Sequence, residues 1–265
     1  MAPVRDQCKT LWNTVSNRSV FQPMGFVYIF NALQIGNAAW KQYLYTVLKF
    51  SAAELNWILV VSECLLFVGV VCYKQYMRNW SWRLVYVLCV VLNATFSALQ
   101  LMLIRGTNRR VGIPDLAFAL GDEAMMEFVS GVQFLPLTVM MVHLCPEGSE
   151  GVSYAMFTTM NNVALILNSI FSTNLLSIWD VSEAALSRGD LRGLTKLTLL
   201  TTGLQASGAL FLPMLPRTKS ELHALGDKQS NLGGYVFLGV VGISLTWSLT
   251  NSFLNVLAPG WVGES

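Results

Sequence analysis

The sequence predicts an all-α fold, a polytopic membrane helix bundle, and two observations carry that prediction. Only 12% of the 265 residues are charged while 54% are hydrophobic, against about 25% charged in an average soluble domain. Seven stretches approach the length and apolarity of a spanning helix, about 20 residues. They run over residues 21–46, 53–76, 82–104, 114–143, 151–178, 194–215 and 232–257. Backbone polar groups cannot go unpaired in hydrocarbon, so each is expected to be a helix.

Residues 1–20 precede the first span. Their opening, MAPVRDQCKTLWNTVSN, lacks the apolar core of a secretory signal. It reads either as a short interfacial helix with Leu11, Trp12 and Val15 toward lipid, or as a disordered tail. Short loops marked by Pro and Gly join the six spans of residues 21–215, among them RGTNRRVGIP and CPEGSEG. A polar loop over 216–231 then separates this six-helix bundle from an additional helix over 232–257, and a tail follows at 258–265. Loop charge does not orient the chain. With the N-terminus inside, nine Lys and Arg fall on the inner side and eight on the outer. The dense cluster YKQYMRNWSWR favours the N-terminus inside.

Several function classes lack their residues. A net charge of +2 offers no face for nucleic acid. The five cysteines form no CxxC pair, so neither a metal site, a cofactor nor a disulfide framework is expected. The ALGD stretch resembles the GxGD signature of intramembrane aspartyl proteases, but Ala119 replaces the first Gly and no second intramembrane Asp partner occurs. No nucleophile–base set for an enzyme is present.

Polar residues recur at helical spacing inside the spans. Asn31, Gln34, Asn37 and Lys41 share a face of the first. Asn161, Asn168 and Ser172 share one of the fifth, with Asn162 and Ser169 beside it. Thr198, Thr201, Gln205 and Gly208 share one of the sixth. Such stripes are either interhelical hydrogen bonds, worth roughly 0.6 to 2 kcal/mol each, or the wall of an aqueous cavity. In the second case Asn31, Gln34, Lys41, Glu127, Asn161 and Gln205 line one concave surface.

The stretch GDEAMME sharpens that choice. It puts Asp122, Glu123 and Glu127 within two turns of the fourth span, and Glu63 lies inside the second. An acid at mid-bilayer costs about 2.5–3.5 kcal/mol unless it meets water, a cation or a proton. Lys41 is the one base that reaches the interior. Buried acid therefore outnumbers base, and at least one carboxyl is expected to bind a proton near neutral pH. Glu127, and with it Asp122, is the expected proton-coupling group, with Glu123 closer to the interface or paired. Asp122 also suits a wet turn at the headgroups. Asp115 is expected to cap the fourth helix.

The stretches RVGIPDLAFALGDE and FLPLTVMMVHLCPEGSEGVSYAMFTTMNN resemble the folate–biopterin transporter family of the major facilitator superfamily. Matching residues are Gly112, Asp115, Gly121, Asp122, Pro136, Cys145, Pro146, Gly148, Glu150, Gly151, Asn161 and Asn162. The CPEGSEG run is the most specific piece, and KFSAAELNWILVV resembles the family's entry to the second helix of its C-terminal half. Pro114 stands where the family has Ser. The resemblance spans roughly 21–215 and implies the six-helix C-terminal half of that fold.

The resemblance further implies a secondary carrier for folate- or pterin-like solutes, driven in many members by protons. A carboxylate, Asp122 or Glu127, would accept from a pterin's amino group and neighbouring ring N–H. Lys41 would meet folate's anionic tail. Asn31, Gln34, Asn161 and Asn162 complete the expected solute-binding set. Tyr28, Phe30, Trp40 and Tyr43 either stack on the ring or pack against lipid. Asp115, Pro146 and Glu150 would be structural, Glu150 as a helix-start acid. The expected partners are the lipid bilayer, a small solute, and either the other half of the carrier or a second copy of this chain. Residues 1–20 cannot hold six further spans, so a truncated product is also expected. The alternative is a non-transporting scaffold or degenerate half-carrier that packs with a partner.

Overall fold

A computed structural model describes residues 2–145, 150–217, 221 and 228–258, with side chains from Lys9 onward. Among the described residues it is all helical, apart from one isolated β-bridge between Asn17 and Gln229. In chain order the helices are α1 (Ala2–Val15), α2 (Arg18–Leu33), α3 (Trp40–Thr46), α4 (Ala52–Cys72), α5 (Trp82–Ile104) and α6 (Thr107–Arg110). They continue with α7 (Asp115–Leu144), α8 (Glu150–Asn174), α9 (Glu183–Ser187), α10 (Arg192–Ser207) and α11 (Asn231–Leu257). A π-helical turn, Tyr73–Met77, prolongs α4, and a 3-10 helix, Gly208–Met214, prolongs α10.

The starts follow from local sequence. Ser51 and Glu54 close a capping box on α4, with Ser51 N donating to Glu54 Oε2 at 2.8 Å and Glu54 N to Ser51 Oγ at 3.3 Å. Ser81, Ser182 and Ser230 cap α5, α9 and α11, and Asn17 caps α2. Asp115 is not a cap. Pro114 holds that position, and Asp115 is the first helical residue of α7. Its carboxylate instead accepts from Arg109 Nε at 3.0 Å and from Asn108 Nδ2 at 2.7 Å, which ties the loop down.

Of the two forms expected for the N-terminal segment, residues 2–20 take the helical one, as α1 and the start of α2; Trp12 of α1 packs against Tyr235 of α11 with ring centroids 4.6 Å apart. One expected element differs. The first expected span, 21–46, is not one helix. It breaks between Leu33 and Trp40, where Asn37 Oδ1 accepts from Ala39 N at 3.0 Å and competes with the helical ladder. Gly36 beside it adds a poor helix former.

Among the described residues, five helices are long and apolar enough to cross a membrane: Ala52–Met77, Trp82–Ile104, Asp115–Leu144, Arg192–Met214 and Asn231–Leu257. The broken α2–α3 is too short in either piece. α8 has the length, 25 residues, but its Asn, Thr and Ser lower its apolarity. The outward faces match a bilayer. Trp57, Leu59, Phe67 and Val71 of α4, and Leu232, Val236, Ile243 and Phe253 of α11, stand exposed. A patch of that size is untenable in water and ordinary in lipid. The chain is a multi-pass integral membrane protein.

Packing brings α4 against α7, α5 between α7 and α10, and α2 against α8. Among the described residues core side chains gather in three bodies, the smallest of them Tyr73, Val85, Cys89, Val129 and Val132 where α5 meets α7. Toward the end holding Val15 and Leu215, Phe26, Phe30 and Tyr86 meet with ring centroids 5.1–5.3 Å apart. Toward the other end, Trp40, Tyr43 and Leu44 of α3 pack with Leu103, Leu186 and Leu194. The last helix, α11, lies on α1, α2 and α8, with Ser244, Ser248 and Asn251 turned inward and Ser244 hydrogen-bonded to the Tyr28 hydroxyl.

Candidate functional site

The break after α2 leaves backbone carbonyls without helical partners, and at bilayer depth each needs one. Side chains from two neighbouring helices supply them. Asn168 of α8 donates to Asn31 O at 2.9 Å, and Ser172 to Gly36 O at 2.8 Å. Gln205 of α10 donates to Ile35 O at 3.0 Å. Asn37 in turn donates to Thr198 Oγ1 at 2.8 Å. The polar stripes of α8 and α10 thus converge on the unwound segment, chiefly bonding side chain to backbone.

Beside that segment lies a concavity of about 360 Å³. Its polar wall comes from Asn31 and Gln34 at the end of α2, Asn93 of α5, Asn161 of α8 and Gln205 of α10. α7 adds Glu123, Glu127, Ser130 and Gln133. Tyr86, Phe134, Leu137 and Leu165 make an apolar flank. Asn31 Nδ2 donates to Asn161 Oδ1 at 2.6 Å, and Asn93 Nδ2 to Gln34 Oε1 at 3.3 Å. Three buried atoms of wall residues, Gln34 Nε2, Gln133 Nε2 and Gln205 Oε1, have no protein partner.

Of the residues expected at a solute site, Asn31, Gln34, Glu127 and Asn161 stand on this wall, and Gln205 with them. Three do not. Lys41 is exposed on α3 and lies off the wall. Asn162 is exposed one position round α8 from Asn161 and also lies off it. Asp122 is 4% exposed and turned into the α5–α7 contact, where Gln100 Nε2 donates to its Oδ2 at 3.0 Å. Asp122 sits at the edge of the α7 face that carries the wall, and its carboxylate is taken up by Gln100 of α5, whereas Glu123 and Glu127, four apart, line the concavity. Glu123, expected closer to the interface or paired, lines the wall beside Glu127.

Pro146 lies outside the described residues. Glu150 occupies the first turn of α8. The aromatics Phe30, Trp40 and Tyr43 are buried in the core, and Tyr28 bonds to Ser244. None of the four lines the concavity, where Tyr86 stands instead.

Sequence reasoning missed a whole stripe on α5. Asn93, Ser97 and Gln100 sit at i, i+4 and i+7, one helical face. Each reaches another helix: Asn93 to Gln34, Ser97 to Thr202 at 2.7 Å, Gln100 to Asp122. The periodicity that revealed the other stripes was available here too.

The wall is acidic. Glu123 and Glu127 line it, and among its described residues stands no Lys, Arg or His. The nearest charged groups are Lys41, whose field reaches Glu123, and Glu63 of α4, whose field reaches Glu127.

Comparison with known proteins adds the following. A family model described as the BT1 family matches residues 1–220. The chain is similar to a folate-biopterin transporter of Synechocystis sp., with 26% identity over 226 residues covering 85% of this chain and 44% of the relative. It is similar to probable folate-biopterin transporter 2 of Arabidopsis thaliana, 23% identical over 227 residues, covering 84% and 44%. Folate transporter 1 of Plasmodium falciparum is 25% identical over 173 residues, covering 65% and 34%. The chain spans less than half the length of these curated relatives. No solved structure matches it significantly.

Proposed function

Because the chain belongs to the BT1 family, we propose that it is part of a secondary carrier for folate- or pterin-like solutes and not an enzyme. The observation that supports this is the polar, acidic concavity built around a broken helix at bilayer depth. Broken helices whose free backbone ends meet a cavity are the usual architecture of carrier sites. The relatives named above carry folate or biopterin in their names, which agrees with the chemistry of the wall.

In this reading α2 and α3 together cross the membrane as one interrupted span. With α4, α5, α7, α8 and α10 they make the six-helix half of a major facilitator fold, over residues 21–215, and α11 is an additional span. A second six-helix body, another chain or a second copy, faces the concavity and completes the site. Asn31, Gln34, Asn161 and Glu127 contact the solute. Glu127 exchanges the coupling proton, and Asp122, held by Gln100, is the reserve acid behind it.

Uptake of labelled biopterin and folate tests the reading in cells expressing this chain, alone and together with the N-terminal half of the Synechocystis relative. Uptake above background in either condition, lost with its pH dependence in Glu127→Gln, is the expected result. Background uptake in both conditions overturns it.

A further inference from the structure

We infer that Glu123 and Glu127 act as a paired acceptor that selects the amino-bearing ring edge of a pterin-like solute and rejects its carboxylate-bearing tail. This rests on the proposed carrier function and narrows it to the part of the solute that this chain takes. Glu123, which no sequence argument placed at the site, is then a specificity-determining residue.

Three observations carry the inference. The first is phase: Glu123 and Glu127 sit four apart on α7 and both line the concavity. Two carboxylates on one face suit a ring that presents an exocyclic amine beside a ring N–H, since ionised acceptors make the stronger hydrogen bonds. The second is charge. No cation lines the wall among the described residues, and the charged groups around it are four acids, Glu63, Asp122, Glu123 and Glu127, against Lys41. An anionic glutamate tail brought here meets like charge in a medium that screens it poorly. The third is a set of unused buried groups. Gln205, 4% exposed, keeps Oε1 without a partner, and Gln34 and Gln133 each keep Nε2 without one. One spare acceptor and two spare donors beside the acids fit a heterocycle that presents both N–H and C=O along its edge. Tyr86 and Leu137 offer the apolar flank for its face.

The chemistry separates the two ends of a folate. The pterin ring satisfies acceptors and can be taken by this wall. The tail, carrying two carboxylates, needs cations and must be met elsewhere or left in water. Lys41, expected from sequence to meet that tail, lies off the wall and is balanced by Glu123.

The test is equilibrium binding to the full chain in nanodiscs with three probes: biopterin, p-aminobenzoylglutamate and folic acid. Biopterin is expected to bind about tenfold or more tighter than p-aminobenzoylglutamate. Glu123→Gln and Glu127→Gln are each expected to weaken biopterin about tenfold or more, the loss of a hydrogen bond to a charged acceptor. Glu123→Asp, which keeps the charge, is expected to retain more biopterin affinity than Glu123→Gln, a difference that a merely structural role would not produce. Glu183→Gln, exposed on α9, should leave all three affinities unchanged. Equal binding of biopterin and p-aminobenzoylglutamate, or biopterin affinity insensitive to both Gln substitutions, overturns the inference and leaves the carrier reading standing. If none of the three probes binds the unaltered chain, either alone or reconstituted with the N-terminal half of the Synechocystis relative, the carrier reading falls and the inference with it.

Discussion

Gln205 shows what a single polar side chain does at bilayer depth. Its Nε2 satisfies Ile35 O in the unwound segment while its Oε1 faces the concavity. Gln205→Leu removes the donor and leaves that carbonyl unpaired, so it should destabilise the protein by about 1–2 kcal/mol. Thermal unfolding in detergent reads this as a lowered Tm, and an unchanged Tm would mean the carbonyl finds another partner. Asn108 and Arg109 give a contrast within one loop. Asn108 is fully buried and donates to both Ile113 O and Asp115, whereas Arg109 pairs with Asp115 from an exposed position. The Asp115 carboxylate raises the Arg109 guanidinium further above its ordinary range, so Arg109 stays charged. Asn108→Ala should cost about 1–3 kcal/mol through unsatisfied groups, and Arg109→Ala less than about 1 kcal/mol. Chemical denaturation of the two variants checks the order.

At the scale of elements, the α4–α7 contact depends on two glycines that face each other's backbones. A Cβ at Gly69 would overlap the Phe128 carbonyl oxygen, and a Cβ at Gly131 the Leu66 carbonyl oxygen. Small residues let membrane helices approach closely enough for dispersion to hold them. Gly131→Ala must push the helices apart and should cost about 1–3 kcal/mol. Gly121→Ala, on the same helix with nothing within 4 Å of the new atom, should be neutral or slightly stabilising. Comparing Tm for the two variants tests whether the crossing, rather than helix propensity, sets the effect. α7 also shows how helix packing separates acids that the sequence places together. Burial and charge made Asp122 and Glu127 attractive together, but the helix turns them to different neighbours, α5 for one and the concavity for the other.

For the whole molecule, the hydrogen bonds sort the loops into two ends. Arg18 N donates to Lys228 O at 2.9 Å, Ser230 N to Ser16 O at 2.8 Å and Trp82 N to Arg217 O at 3.2 Å, which gathers one end. Tyr43 Oη donates to Leu103 O at 3.1 Å, and Asp115 binds Arg109, at the other. If α2 and α3 together cross once, as proposed, single cysteines at Arg18 and Arg217 should react with an impermeant thiol reagent from one side of the membrane. Cysteines at Lys49 and Asp190 should react from the opposite side. Reaction of Arg18→Cys and Lys49→Cys from the same side would remove the interrupted span from the count.

Composition and hydrophobic run length were enough to establish helices in a bilayer, because hydrocarbon admits no unpaired backbone and the apolar faces must meet lipid. The resemblance around CPEGSEG was equally legible in the chain itself, and the family match over residues 1–220 agrees with it. Helical periodicity also picked out Asn31, Gln34, Asn161 and Gln205. Three things needed the tertiary structure. The contact with Gln100 of α5 decided that Glu123 and not Asp122 shares the wall with Glu127. The break at Gln34–Ala39 arose because Asn168, Ser172 and Gln205, more than 130 residues away, stand ready to take its free carbonyls. Lys41 fell off the wall because that break re-aims α3, and no spacing within residues 31–41 records where the chain turns once its helix has ended.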